Sequence, residues 1–293
     1  MTSTRVLTVG TDGSRESMAA AHWAAREALR RGLPLRLLHA DNADNTDNGE
    51  RLACPPPDVD LPGRGVLNRV ALELSYTHPA LEIIARRRPA PPTSALLESA
   101  TESETLVLGS RGFTGYSGFL VGSVALAVTS RCDRPVVLVR AGGLPQDEHM
   151  PGGAGFLPVV VGLDVTAPAD ELLSYAFEAA ALRGTRLHAL HAWTLPPLRG
   201  TGAGDAQPGD AARRETLRRR ALSGALQVWR AKYPEVPVVE RLVYGQPGHH
   251  LLKASTAASL TVVGRSMETA QLGCTAHSVV HHVTSPVAVV PHL

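Results

Sequence analysis

Apolar positions along the chain follow two rhythms. Short runs rich in aliphatic residues, such as 5–10, 35–40, 105–108 and 136–140, are bounded by polar residues or glycine. Between them lie longer stretches whose apolar residues return every three or four positions. The short runs predict strands buried on both faces, and the longer stretches predict amphipathic helices. In the first half this places strands at 5–10, 35–40, 80–86, 105–108 and 136–140, and helices at 15–31, 65–77, 93–103 and 122–132. Ser14 is a candidate N-cap for the first helix and Gly32 its C-terminal stop. Residues 41–63 and 194–212 are polar and rich in Pro, Gly and Asp, and read as long inserts. Alternating strands and helices joined by right-handed crossovers predict a doubly wound parallel sheet.

The second half repeats the first. RVLTVGTD at 5–12 returns as LPVVVGLD at 157–164, and LRLLHA at 35–40 as RLHALHA at 186–192. LVLGSR at 106–111 returns as TVVGRS at 261–266, and RPVVLV at 134–139 as SPVAVV at 285–290. Four matches in one order, each offset by about 150 residues, indicate a tandem repeat. A Gly/Pro-rich linker joins the copies over 141–155. The expected organisation is two α/β domains, residues 1–143 and 154–293, each with a five-stranded parallel sheet covered by helices on both faces.

Either half of a 293-residue chain is long enough to bury its own core. Twenty-nine Lys+Arg against 27 Asp+Glu leave a net charge of +2, which gives no electrostatic reason to expect a nucleic-acid partner. The clusters Arg86-Arg87-Arg88 and Arg218-Arg219-Arg220 read as solvated helix ends or faces. Cys54, Cys132 and Cys274 are odd in number and widely spaced, so no disulfide framework is expected. No apolar run approaches the length of a membrane span. The opening MTSTRVLTVGTDGS enters a strand without a signal-peptide core, so a soluble, cytoplasmic protein is expected.

In a doubly wound sheet, ligands gather beyond the strand C-termini. There the first strand ends in Gly10-Thr11-Asp12-Gly13-Ser14, and the fourth runs into LGSRGFTGYSGFLVGSVALAVTS at 108–130. That segment holds five glycines, one cation and no carboxylate. Gly109-x2-Gly112 can turn with its amides exposed, and Gly122-Ser123 starts the next helix. Together they make a candidate polyphosphate cradle. Neither a Walker A sequence nor a GxGxxG after a strand is present. The same spacing fits a surface loop with a capped helix. Asp12 reads equally as a turn or capping residue, and Arg111 as a phosphate contact or a solvated side chain.

The spacing Gly109-x2-Gly112-x9-Gly122-Ser123 resembles the ATP-binding G-x2-G-x9-G-[ST] pattern of universal stress proteins. Val9-Gly10-Thr11-Asp12 and Val161-Gly162-Leu163-Asp164 look like that family's first strand. The resemblance covers nearly the whole chain as two tandem domains. It implies strand order 3-2-1-4-5 in each domain and ATP, with or without Mg, in the first crevice. Thr11, Asp12 and the backbone near Ala40 would lie beside the adenosine. Gly109, Gly112, Gly122, Ser123 and Val124 would lie along the phosphates, with Arg111 as a further candidate.

The function implied is an ATP-binding regulatory module of the stress response. A slow ATPase and a ligand-free interaction scaffold stay open as alternatives. The loop offers neither carboxylate nor lysine, and Asp12 is the one evident acid near the site. The family commonly pairs domains through the fifth strand. Val136-Val137-Leu138-Val139 and Val287-Ala288-Val289-Val290 are therefore expected to join the two halves within one chain, and a homodimer through another surface is possible.

The second copy departs from the pattern. Gly264 is kept, Met267 replaces the next glycine, five residues instead of nine precede Gly273, and Cys274 stands for the Ser/Thr. Glu268 adds negative charge. The second domain is expected to be empty of ATP. Cys274, His277 and His281 share one helix face, but no HExxH is present and no metal site is expected.

Overall fold

The computed structural model describes residues 5–40, 64–110, 121–142, 145–153, 155–194, 210–269 and 271–293. Residues 41–63, most of the 194–212 insert, Cys54, Arg111 and Gly112 lie outside the described residues. The first copy runs β1 (Leu7–Gly10), α1 (Arg15–Arg31), β2 (Leu35–Ala40), α2 (Arg64–Thr77), β3 (Ile83–Arg88), α3 (Pro92–Ala100), β4 (Thr105–Ser110), α4 (Ser123–Thr129) and β5 (Val136–Arg140). The second runs β6 (Val159–Gly162), α5 (Asp170–Arg183), β7 (Leu187–Trp193), α6 (Asp210–Lys232), β8 (Val238–Tyr244), α7 (Pro247–Ser255), β9 (Leu260–Ser266), α8 (Cys274–His282) and β10 (Val287–His292).

The strands lie in the order β3-β2-β1-β4-β5-β10-β9-β6-β7-β8. Each copy therefore contributes 3-2-1-4-5, with parallel neighbours throughout. The two five-stranded sheets meet at their fifth strands and form one ten-stranded sheet. β5 and β10 run antiparallel, with Val137 opposite Ala288 and Val136 opposite Val289. The hydrophobic layers cross this seam too. One holds Trp23 and Val137 with Phe177 and Ala288; the other holds Leu106 and Val128 with Val279 and Val289. Two arginines tie the seam reciprocally. Arg140 of β5 donates to the Val283 and Val280 carbonyls at the end of α8, and Arg265 of β9 donates to the Cys132 carbonyl beyond α4 at 2.6 Å.

Local chemistry explains the elements. Ser14 Oγ accepts the Ser17 N–H at 3.2 Å and caps α1. Gly32, at φ 64°, takes the left-handed turn that ends it. The buried face of α1 is small, with Ala20, Ala21, Ala24, Ala25 and Ala28 around Trp23, so the helix lies close on the sheet.

Three expectations shift. β3 starts at Ile83 rather than residue 80, and it carries Arg86, Arg87 and Arg88 on a sheet edge, not a helix. Charge on an edge strand discourages further pairing. α4 stops at Thr129, where Thr129 and Ser130 hydroxyls bond back to the Ala125 and Leu126 carbonyls. The linker forms short 3-10 turns at Pro145–Glu148 and Pro151–Gly153. Glu148, 4% exposed, pairs with Arg26 at 2.8 Å and with Arg30 at 3.6 Å, which pins the linker to α1. No described helix is long and apolar enough to cross a membrane.

Candidate functional site

β1 and β4 are adjacent, with Val9 opposite Val107, so their C-terminal ends open on one crevice. It encloses about 320 Å³. Thr11 and Asp12 border it after β1, Ala40 from β2, Gly109 from β4, and Gly122, Ser123 and Val124 at the start of α4. The structure thus brings seven of the nine sequence-predicted residues together; Arg111 and Gly112 lie outside the described residues.

Asp12 Oδ1 accepts the Ser14 N–H at 2.9 Å and the Ser14 hydroxyl at 2.5 Å. Burial alone would raise its pKa, but these bonds outweigh it and hold the carboxyl below its ordinary value. His39 Nδ1 donates to the Thr11 carbonyl at 2.7 Å, fixing the turn to β2. The Thr11 hydroxyl is buried and meets no partner among the described residues.

Gly109 and Gly122 differ in kind. A Cβ on Gly109 would lie 2.5 Å from the backbone of Glu16, so glycine there lets β4 pass under the start of α1. A Cβ on Gly122 would meet nothing within 4 Å, and its φ of −60° suits any residue. No side chain caps the first turn of α4.

Sequence reasoning missed Glu16, Ser17, Pro92 and Leu96, which also line the crevice. Glu16 corrects the reading of Asp12 as the only acid present. Its signal was available: the first turn of a helix that follows β1 must overhang the same strand ends. Leu96 comes from α3, whose crossing over β2 no local pattern announces.

The second copy repeats the turn and changes its surroundings. Asp164 Oδ1 accepts the Thr166 N–H at 2.9 Å and hydroxyl at 2.7 Å, and His191 Nδ1 donates to the Leu163 carbonyl at 2.9 Å. The crevice of about 370 Å³ is lined by Trp193, Arg218 and His292. The Arg218 guanidinium lies 4.8 Å over the Trp193 ring. A Cβ on Gly264 would come within 2.8 Å of the His292 ring, which stands where the first copy has Ala141. Met267 N–H bonds the His292 carbonyl at 2.8 Å, carrying the β9–β10 ladder into what should be the glycine turn. Cys274 is exposed, and the His277 and His281 rings lie 4.4 Å apart. Among the described residues no three His, Cys, Asp or Glu side chains are placed to hold a metal.

The profile of the Universal stress protein family matches the chain twice, over residues 4–140 and 155–291. A universal stress protein of Mycobacterium tuberculosis is 30% identical over 307 residues, covering 97% of this chain and 96% of that one. The crystal structure of a universal stress protein from Archaeoglobus fulgidus shares the fold with a TM-score of 0.65 at 17% identity, covering 98% of both chains. A universal stress protein solved in complex with cAMP covers 47% of this chain and 98% of its own at 25% identity, with a TM-score of 0.36, a likeness too low to carry its ligand across.

Proposed function

The chain belongs to the universal stress protein family as a tandem of two such domains, and from that premise we propose that it is an ATP-binding regulatory module whose nucleotide sits in the first domain. That domain is taken as residues 1–143 and the second as 154–293. The observation that carries the reading is the crevice itself. Residues from β1, β2, β4 and α4 converge on one cavity at the strand C-termini, and one of them, Thr11, holds a buried hydroxyl without a partner among the described residues. Buried polar atoms left unpaired are rare, and a ligand is one way to satisfy them.

The chemistry suits an adenine nucleotide. Leu38 and Leu96 offer apolar surface for a base. Asp12 offers an acceptor to a sugar hydroxyl. The open side of Gly122 and the uncapped amides of Ser123 and Val124 suit phosphate oxygens. Magnesium on a nucleotide is usually held by one or two carboxylates and the phosphates, and Glu16, which lines the crevice, is the carboxylate that would hold it. Bound there, ATP supplies binding energy that favours the folded first domain.

Phosphoryl transfer needs a positioned base or water-orienting group. Asp12 is already committed to Ser14. This favours a binding module over a hydrolase. In the second copy the His292 ring crowds Gly264 and Met267 stands where the next glycine should be, so one nucleotide per chain is expected. A cytoplasmic location and a domain pair held through β5 and β10 in solution complete the proposal.

The test is the nucleotide content of the purified chain, then turnover of added ATP-Mg. One bound ATP per chain without turnover supports the module. Rapid turnover makes it an enzyme, no binding makes it a scaffold, and two nucleotides per chain refute the assignment to the first domain.

A further inference from the structure

The crevice of the second copy, of about 370 Å³, lies within the size range of small-molecule sites. Its charges differ from those of the first. Asp12 and Glu16 line the first crevice, and among the described residues no cation does. Counted from Gly10 and Gly162, Asp164 keeps the place of Asp12, whereas Pro168 takes that of Glu16 and stays off the cavity wall. Arg218 reaches the second crevice from α6. One carboxylate is thus exchanged for one guanidinium.

These two charges share the cavity without pairing. Asp164 is exposed and spends Oδ1 on the Thr166 N–H and hydroxyl, which leaves Oδ2 for another donor. Burial alone would raise its pKa, but those bonds, with His191 and Arg218 nearby, hold the carboxyl below its ordinary value, ionised at neutral pH. Arg218 lies near enough to act on that carboxylate, yet it makes no ion pair among the described residues. Its guanidinium sits 4.8 Å over the Trp193 ring, a contact that supplies no lone pair to its N–H groups.

The remaining polar groups of the wall cancel neither charge. His191 Nδ1 donates to the Leu163 carbonyl, and His292 Nδ1 meets the Leu293 carbonyl at 3.1 Å. Thr194 and Thr275 add neutral hydroxyls. Ala169, Ala192 and Pro247, each half-buried, add apolar wall. A simple anion entering here would meet the charge of Asp164, and a simple cation that of Arg218. A ligand that carries both signs satisfies each.

We propose that the crevice of the second copy binds a free amino acid with an apolar side chain. The ammonium would donate to Asp164, the carboxylate would accept from Arg218, and the side chain would lie along Ala192 and Pro247. Both polar contacts are charge-assisted, the stronger class of hydrogen bond. The site is separate from the nucleotide crevice and does not depend on what that crevice holds.

The probes are L-leucine, L-methionine and L-phenylalanine, titrated up to about 5 mM against the intact chain by calorimetry. Saturable binding of at least one is expected. The analogue of that amino acid without its amine, and the one without its carboxylate, should each bind about tenfold more weakly or worse. For phenylalanine these are 3-phenylpropanoate and phenethylamine. Arg218→Gln and Asp164→Asn should each weaken binding about tenfold, while the ATP content of the first domain stays unchanged. The site is overturned, whatever the ATP content, if none of the three binds. It is equally overturned if the singly charged analogues bind as well, or if a folded Arg218→Gln keeps its affinity. Amino acid binding in a chain without ATP upholds this site and overturns the nucleotide reading. Two ATP per chain, with the amino acid competing for one, overturns both.

Discussion

Arg183 donates from Nη2 to Glu27 Oε2 at 2.8 Å, across the seam between α5 and α1, with neither side chain exposed. Arg30 and Arg31 reach the same carboxylate, each at 2.9 Å. One buried anion thus organises three guanidiniums from both halves. Removing one partner of a buried ionic cluster strands the others in a poor solvent. Glu27→Gln should lower unfolding free energy by about 3–5 kcal/mol in urea titrations. A loss below about 1 kcal/mol would show that water reaches the cluster in solution.

The same carboxylate sets an acid limit. Burial would raise the Glu27 pKa, but Arg183, Arg31 and Arg30 together bring it down from the ordinary 4.5 to about 2. A depressed folded pKa means the stabilisation is fully present above 4.5 and is lost as pH falls through about 2. The loss over that window should approach about 3 kcal/mol. Glu27→Gln should flatten it, as read from urea midpoints at stepped pH. An unchanged acid slope in the variant would assign acid unfolding to other groups.

Gly109 and Gly122 should separate folding from binding. An added Cβ at Gly109 collides with backbone rather than a movable side chain. Gly109→Ala should therefore cost about 1–3 kcal/mol of stability whether or not nucleotide is present. Gly122→Val meets open space at an unstrained φ, so stability should stay within about 0.5 kcal/mol while ATP retention is lost. Near-normal ATP affinity in Gly122→Val would remove α4 from the nucleotide site.

What the sequence made legible was what neighbouring residues decide. Ser14 and Gly32 announced both ends of α1, and Val136–Arg140 stood out as a strand because it is apolar throughout. β3 was displaced because its arginines hide an edge strand from a search for apolar runs. Glu27, inside Arg26-Glu27-Ala28-Leu29-Arg30-Arg31, reads as a solvated helix face; its burial is decided by a partner 156 residues away. In the crevice, glycine spacing pointed to the residues on β4 and α4. It could not distinguish Gly109, required by Glu16, from Gly122, which no neighbour requires. Leu96 reaches the site only through the crossing of α3, whereas Glu16 sits in the first turn after β1 and was legible there.

The seam can be tested without a mutation. Val137 and Val289 are each at most 1% exposed and belong to opposite core layers, so a lysine at either would unfold a domain before it parted the pair. Hydrogen exchange avoids that difficulty. In the ten-stranded order, β3 and β8 are the edges, while β5 and β10 lie at the centre. Amides of β5 and β10 that face across the seam should exchange only on global opening, slower than those of β3 and β8 by about two orders of magnitude or more. If the halves part in solution, β5 and β10 become edges themselves, and their seam-facing amides should exchange as fast as those of β3 and β8. That equality, measured on the intact chain, would rule out the paired arrangement as the solution state.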